Sequence, residues 1–168
     1  MRFFVTGEQN RQVVLSTVVL LFLGYIFLLW LSNGLMYFHK MGLTAQSVID
    51  YYLGSEARFT QPVSYQTLLE VSHFHLFAMG MLVLTLTHLL LFTPLAMGPK
   101  IWLTGLTFFS ALADEGAGWL VRFVHPHFAY FKIASFLLLE ASLLALLIFN
   151  GIALIMQRRR AQNQGRSD

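Results

Sequence analysis

Four long apolar runs, separated by short polar breaks, occupy residues 13–38, 65–93, 100–123 and 128–157. Each reaches or exceeds the ~20 residues that a helix needs to cross about 30 Å of hydrocarbon. The pattern predicts an all-α, integral membrane four-helix bundle, built as one transmembrane domain over residues 1–157.

The breaks carry their own signals. Thr44 is placed to cap a short external helix from Ala45 to about Tyr52, whose Val48, Ile49, Tyr52 and Leu53 form an apolar side suited to the membrane surface. Gly54 ends it, and Ser64 is a natural cap for the second long helix after the external segment 40–64. Pro94 closes that helix, Gly98-Pro99 opens the third, and Pro126 divides the third from the fourth. Short connections between the last three helices make them antiparallel neighbours. Residues 1–12 read as an interfacial lead-in, and the polar stretch 158–168 as a disordered basic tail. The first run is too long for the core of a signal peptide, and Ser32-Asn33-Gly34 is not a cleavage site of the usual small-residue kind.

Composition agrees with a membrane protein: 57% of residues are hydrophobic, 11% are charged and mean hydropathy is +0.64. The absence of cysteine excludes disulfides, thiolate-held iron–sulfur clusters, covalent c-type haem and cysteine nucleophiles. A pI near 9.5 does not point to nucleic acid, because the bases gather at the ends of apolar runs instead of forming a stripe. Arg2, Arg11, Lys100, Arg158, Arg159, Arg160 and Arg166 fall on one side, and Lys40, Arg58, Arg122 and Lys132 on the other. The positive-inside rule then makes both termini cytoplasmic. The expected setting is a multi-pass protein in contact with membrane lipid, in a bacterial inner membrane.

The polar residues left inside the apolar runs are the candidates for chemistry, since ionisable groups in a membrane are costly and tend to be functional. The second run holds His73, His75 and His88. At 100° per residue His73 and His88 share a face about 22 Å apart, while His75 points roughly the other way. Two imidazoles so placed suit axial ligation of haem b. His39, His125 and His127 lie at the outer end and are candidate second ligands for the outer haem. The inner position at His88 has no second histidine, leaving Met97, Met156 or a five-coordinate iron on His88 alone, so one haem is better supported than two. Copper or zinc is the alternative, using His73, His75, His125 and His127 together, although on a helix the two rings of a His-x-His point apart.

Asp114 and Glu115 in the third run and Glu140 in the fourth are the buried acids, with Asp114 about 14 Å and Glu140 about 18 Å below the outer surface. They are candidates for a proton path, or for ordinary pairing of Asp114 or Glu115 with Arg122. Small residues in the third and fourth runs, among them Gly105, Ala113, Gly116, Ala134 and Ser142, favour close helix contact.

On His73, His75 and His88 within four spans, the chain resembles the small four-helix membrane b-type cytochromes. It departs from them in having no histidine within the fourth helix. The resemblance implies electron transfer between the quinone pool and an external redox partner such as a c-type cytochrome, with a quinone site near an acid or histidine. Two alternatives from other classes stand beside it: a non-redox protein that binds or moves metal ions or protons through the polar interior, and an accessory subunit of a membrane complex.

Overall fold

The computed structural model describes the backbone of residues 2–164 and the side chains of residue 11 and of residues 13–159. The predicted tail residues 165–168, with Arg166, lie outside the described residues, as do the side chains of Arg2 and Arg160. The fold is all-α, with helices α1 (Arg2–Lys40), α2 (Ala45–Leu53), α3 (Tyr65–Leu91), α4 (Met97–Phe123) and α5 (Phe128–Gln164), and one 3₁₀ turn at Glu56–Arg58.

The predicted caps are in place. Thr44 accepts a hydrogen bond from Ser47 N, and Ser64 accepts one from Thr67 N. Gly54 ends α2 at φ 81°, where a Cβ would lie 2.7 Å from Thr60 O, so glycine is required there on two counts. Helix α5 continues past the predicted boundary at 157 to Gln164, because Arg, Ala and Gln are good helix formers and nothing in Arg158-Arg159-Arg160-Ala161-Gln162 breaks the helix. Likewise α1 begins at Arg2, within the predicted lead-in.

Helix α5 is the centre of the assembly and packs against α1, α2, α3 and α4. It runs antiparallel to α1, as shown by the Tyr37 ring stacked on Phe136 at 3.6 Å, Trp30 Nε1 donating to Glu140 O, and Arg158 donating to Ser16 and Thr17. It is antiparallel to α4, where Ser110 meets Ser142, and parallel to α3, where Asn150 donates to Leu86 O. The N-terminal end of α1 and the C-terminal end of α5 therefore lie at the same end of the molecule.

The architecture is five helices and not four long helices alone, and α2 differs from expectation. Its Val48 and Tyr52 are buried in a cluster with Tyr37, Leu68, Val121 and Phe136, so its apolar side packs on the bundle and not on a membrane surface. Helix α2 caps the end of the bundle where α4 passes into α5, and it forms contacts with both. Its fit against α4 depends on Gly118, because a Cβ there would stand 2.8 Å from Tyr52 Oη.

Among the described residues, three helices are long and apolar enough to cross a membrane: Val13–Lys40, Tyr65–Leu91 and Phe128–Arg159. Helix α4 was expected as a fourth and is as long as α3, but is not among them. Its composition is diluted by Lys100, Thr104, Thr107, Ser110, Asp114, Glu115 and several glycines. Those residues are not spread at random. Lys100, Thr107, Ser110, Ala117 and Gly118 are buried, whereas Ile101, Trp102, Phe109 and Leu112 are each at least 60% exposed. The large apolar side chains face out and the polar and small ones face in, the reverse of a helix on the surface of a water-soluble domain.

Candidate functional site

The acids on α4 and α5 are the natural starting point, because their side chains must find partners inside the bundle. Asp114 and Glu115 are consecutive, so their side chains leave α4 about 100° apart. Asp114 faces α5, where Lys132 Nζ donates to its Oδ1 at 2.8 Å and to its backbone oxygen at 2.9 Å. Both side chains are mostly enclosed, with 10% of Lys132 and 17% of Asp114 accessible. The expected pairing of Arg122 with an acid does not occur. Arg122 Nε donates instead to Val63 O at 2.8 Å and its guanidinium lies over the Phe123 ring, because the loop before α3 comes back across the end of α4.

Glu115 faces α3. Its Oε1 accepts from Ser72 Oγ, and its Oε2 lies 3.2 Å from His75 Nδ1. Trp119, one turn further along α4, donates through Nε1 to Ser72 Oγ at 2.7 Å. The hydroxyl of Ser72 thus relays between an indole and a carboxylate. A carboxylate can only accept, so in the neutral imidazole Nδ1 carries the hydrogen and Nε2 is left as a free base. This group lies at one end of a cleft of about 50 Å³ between α3 and α4, walled by Leu76, Met79, Val83, Phe108 and Leu112. The cleft runs from His75 to Val83, about 12 Å along α3.

Glu140 faces α1. Asn33 Nδ2 donates to its Oε1 at 2.6 Å, and Trp30 donates to its backbone oxygen. Each of the three acids proposed as a proton path thus binds a different neighbouring helix.

The histidines are dispersed. Of the three on α3, only His75 forms a hydrogen bond to another helix among the described residues. His73 lies exposed with its ring edge toward Phe74, and His88 lies exposed against Phe92. His39 is exposed in the last turn of α1. His125 and His127 are close together, with Nδ1 atoms 2.8 Å apart and rings nearly parallel at 4.5 Å between centroids. His73, His75, His125 and His127 do not converge as one metal centre: no three histidine or acidic side chains among the described residues are placed to hold an ion.

Several residues of this interior were missed by reading the sequence. Lys132 was counted as a flanking charge, yet it is buried. Ser72, Trp119 and Asn33 look ordinary in apolar runs, and their partners are 40 or more residues distant along the chain. A single turn of spacing, Ser72 to His75 and Glu115 to Trp119, was the available signal, because it places each pair on one side of its helix.

Where the capping helix α2 packs on the end of the bundle, burial pushes the Tyr52 hydroxyl well above the usual range of a phenol, and the nearby Asp114 carboxylate adds to the effect. No curated protein and no solved structure matches the chain. Residues 42–161, from just after α1 almost to the end of α5, match the Aq_1264_TM family, described as a transmembrane helical domain, and the chain belongs to that family.

Proposed function

We propose that this protein is a four-span component of quinone-linked electron transfer, in which His75 and Glu115 exchange protons with a quinol head group that lies against the open side of the α3–α4 cleft, whose volume of about 50 Å³ admits only an edge of the ring. The observation that carries this reading is the imidazole–carboxylate pair at the end of an apolar cleft in a membrane-embedded bundle. A quinol gives up two electrons and two protons as it becomes a quinone. The free Nε2 of His75 is suited to accept the proton of one O–H, and Glu115 holds the ring and stabilises the imidazolium that forms; the second O–H proton follows by the same route once His75 has released the first to water. The rest of the cleft is apolar and lies further along α3 toward the middle of the span, where an isoprenoid tail has its favoured surroundings.

A b-type haem, if bound, would supply the one-electron chemistry that links a quinol to an external partner such as a c-type cytochrome. His73 or His88, about 22 Å apart along α3 and so not able to share one group, would hold it, and both side chains are exposed on this chain. The fourth span is α4, whose outward apolar face suits lipid and whose polar residues are sheltered within the bundle. Both termini are assigned to the cytoplasm.

A second reading, an accessory subunit of a larger membrane complex, is favoured by one observation: every acid of the interior already has a partner on a neighbouring helix. Two measurements separate the readings. The purified, folded protein should show a Soret band and a reduced-minus-oxidised haem spectrum; absence of haem removes the electron path. Quinol-dependent reduction should fall at least tenfold in His75→Phe and Glu115→Gln. Unchanged rates in both would remove the cleft from the reaction and leave the accessory role.

A further inference from the structure

His125 and His127 flank Pro126 in the turn between α4 and α5, and the turn alters what a His-x-His sequence does. On α3 the helix sends His73 and His75 in different directions. Between α4 and α5 the helical backbone is interrupted: Val124 and His125 N both donate to Leu120 O, and the next turn starts with Phe128 N donating to His125 O. The two imidazoles consequently fall on one side, their Nδ1 atoms 2.8 Å apart and their planes within 13° of parallel. His127 N also donates to His125 Nδ1 at 3.2 Å, which fixes His125 Nδ1 as the acceptor and His127 Nδ1 as the donor in the ion-free pair. Both side chains are exposed.

We propose that His125 and His127 form a two-imidazole chelate for a divalent transition ion of tetragonal preference, copper(II) being the best fit. Two nitrogens bound at about 2.0–2.1 Å and at a right angle to each other are about 2.9 Å apart, whereas a tetrahedral ion would hold them about 3.4 Å apart. The hydrogen-bonded separation of 2.8 Å shows that the two nitrogens can approach closely enough for either, and copper(II) is chosen because affinity for nitrogen sites peaks there among the divalent first-row ions. On binding, the ion takes the place of the shared hydrogen: the proton of His127 Nδ1 shifts to Nε2 of the same ring, both rings remain neutral, and each Nδ1 lone pair is given to the metal. With two protein ligands, the remaining positions are filled by water or other exchangeable ligands, as is usual for open sites. The site stands apart from the His75–Glu115 cleft and does not depend on the quinone reading.

The test is titration of the full-length protein in detergent with copper(II), followed by calorimetry and electron paramagnetic resonance. The expected result is one ion per chain, with superhyperfine splitting from two nitrogens. His125→Ala and His127→Ala should each weaken binding at least tenfold and remove one nitrogen from the spectrum, while His39→Ala leaves both unchanged. Helical circular dichroism confirms that each variant is folded. If copper binds with the same affinity and spectrum in both turn variants, or does not bind to the folded wild-type chain, the assignment is wrong.

Discussion

Asp114 and Glu115 are adjacent in the chain, yet their carboxylates fasten α4 to opposite partners: Asp114 to Lys132 of α5, and Glu115 to Ser72 and His75 of α3. One step of 100° along α4 is enough to divide them. The arrangement makes α4 the polar hinge of the bundle, with its ionisable groups on the two sides where it meets other helices and its large apolar side chains on the third.

The Asp114–Lys132 pair gives the most direct prediction. Lys132→Met leaves a mostly enclosed carboxylate without its cation and should destabilise the protein by about 3–5 kcal/mol. Combining it with D114N should recover most of that loss, because no uncompensated charge remains. Unfolding of the single and double variants in mixed micelles measures both. Equal loss in the double variant would show that packing, not charge, dominates at this position.

Ser72 accepts from Trp119 and donates to Glu115, so Ser72→Ala removes two hydrogen bonds at once. The indole N–H and one carboxylate oxygen lose their partner in a half-buried place, at a cost of about 1–3 kcal/mol. The thermal midpoint should fall and the Trp119 emission should shift. Ser72→Thr keeps the hydroxyl and should preserve more of the stability.

At Gly118 the prediction is steric. An added Cβ would meet Tyr52 Oη at 2.8 Å and the ring at 3.1 Å, with α2 held behind it. Gly118→Ala should therefore destabilise by about 1–3 kcal/mol through overpacking. Tyr52→Phe in the same chain should restore part of the loss, since it removes the closest atom. If Gly118→Ala proves neutral, α2 does not sit tightly on α4.

Tyr52 also predicts an alkaline limit. Its hydroxyl ionises above its ordinary value in the folded chain, whereas the unfolded chain ionises near the ordinary value of 10.0. Above that pH the folded state binds more protons than the unfolded state, so stability falls as pH rises. Below it the contribution is fully present. Stability measured from pH 8 to pH 11 should decline at the alkaline end, and less steeply in Tyr52→Phe.

The long helices and their caps were legible because each follows from local chemistry. Thr44, Ser64, Gly54, Pro99 and Pro126 act on backbone groups within four residues of themselves, and α1, α3 and α5 carry enough apolar length to identify themselves as membrane helices. The extension of α5 to Gln164 was missed because polarity was read as disorder, although Arg, Ala and Gln favour helix. Arg122 was matched to an acid from its spacing on α4. The competing acceptor, Val63 O, belongs to a loop whose path depends on how α2 and α3 are placed.

The sequence by itself determined that this is a helical membrane protein, how many long helices it has, and which residue types are too polar to face lipid. Those conclusions need only hydrogen bonding along the chain and the cost of bringing charge into hydrocarbon. The tertiary structure alone decided which acid meets which partner, that α2 packs on the bundle, that Lys132 is buried, and that the histidines divide among separate places. Such pairings depend on the rotation and register of helices against one another, where a shift of one residue turns a side chain by 100° from one neighbour to the next.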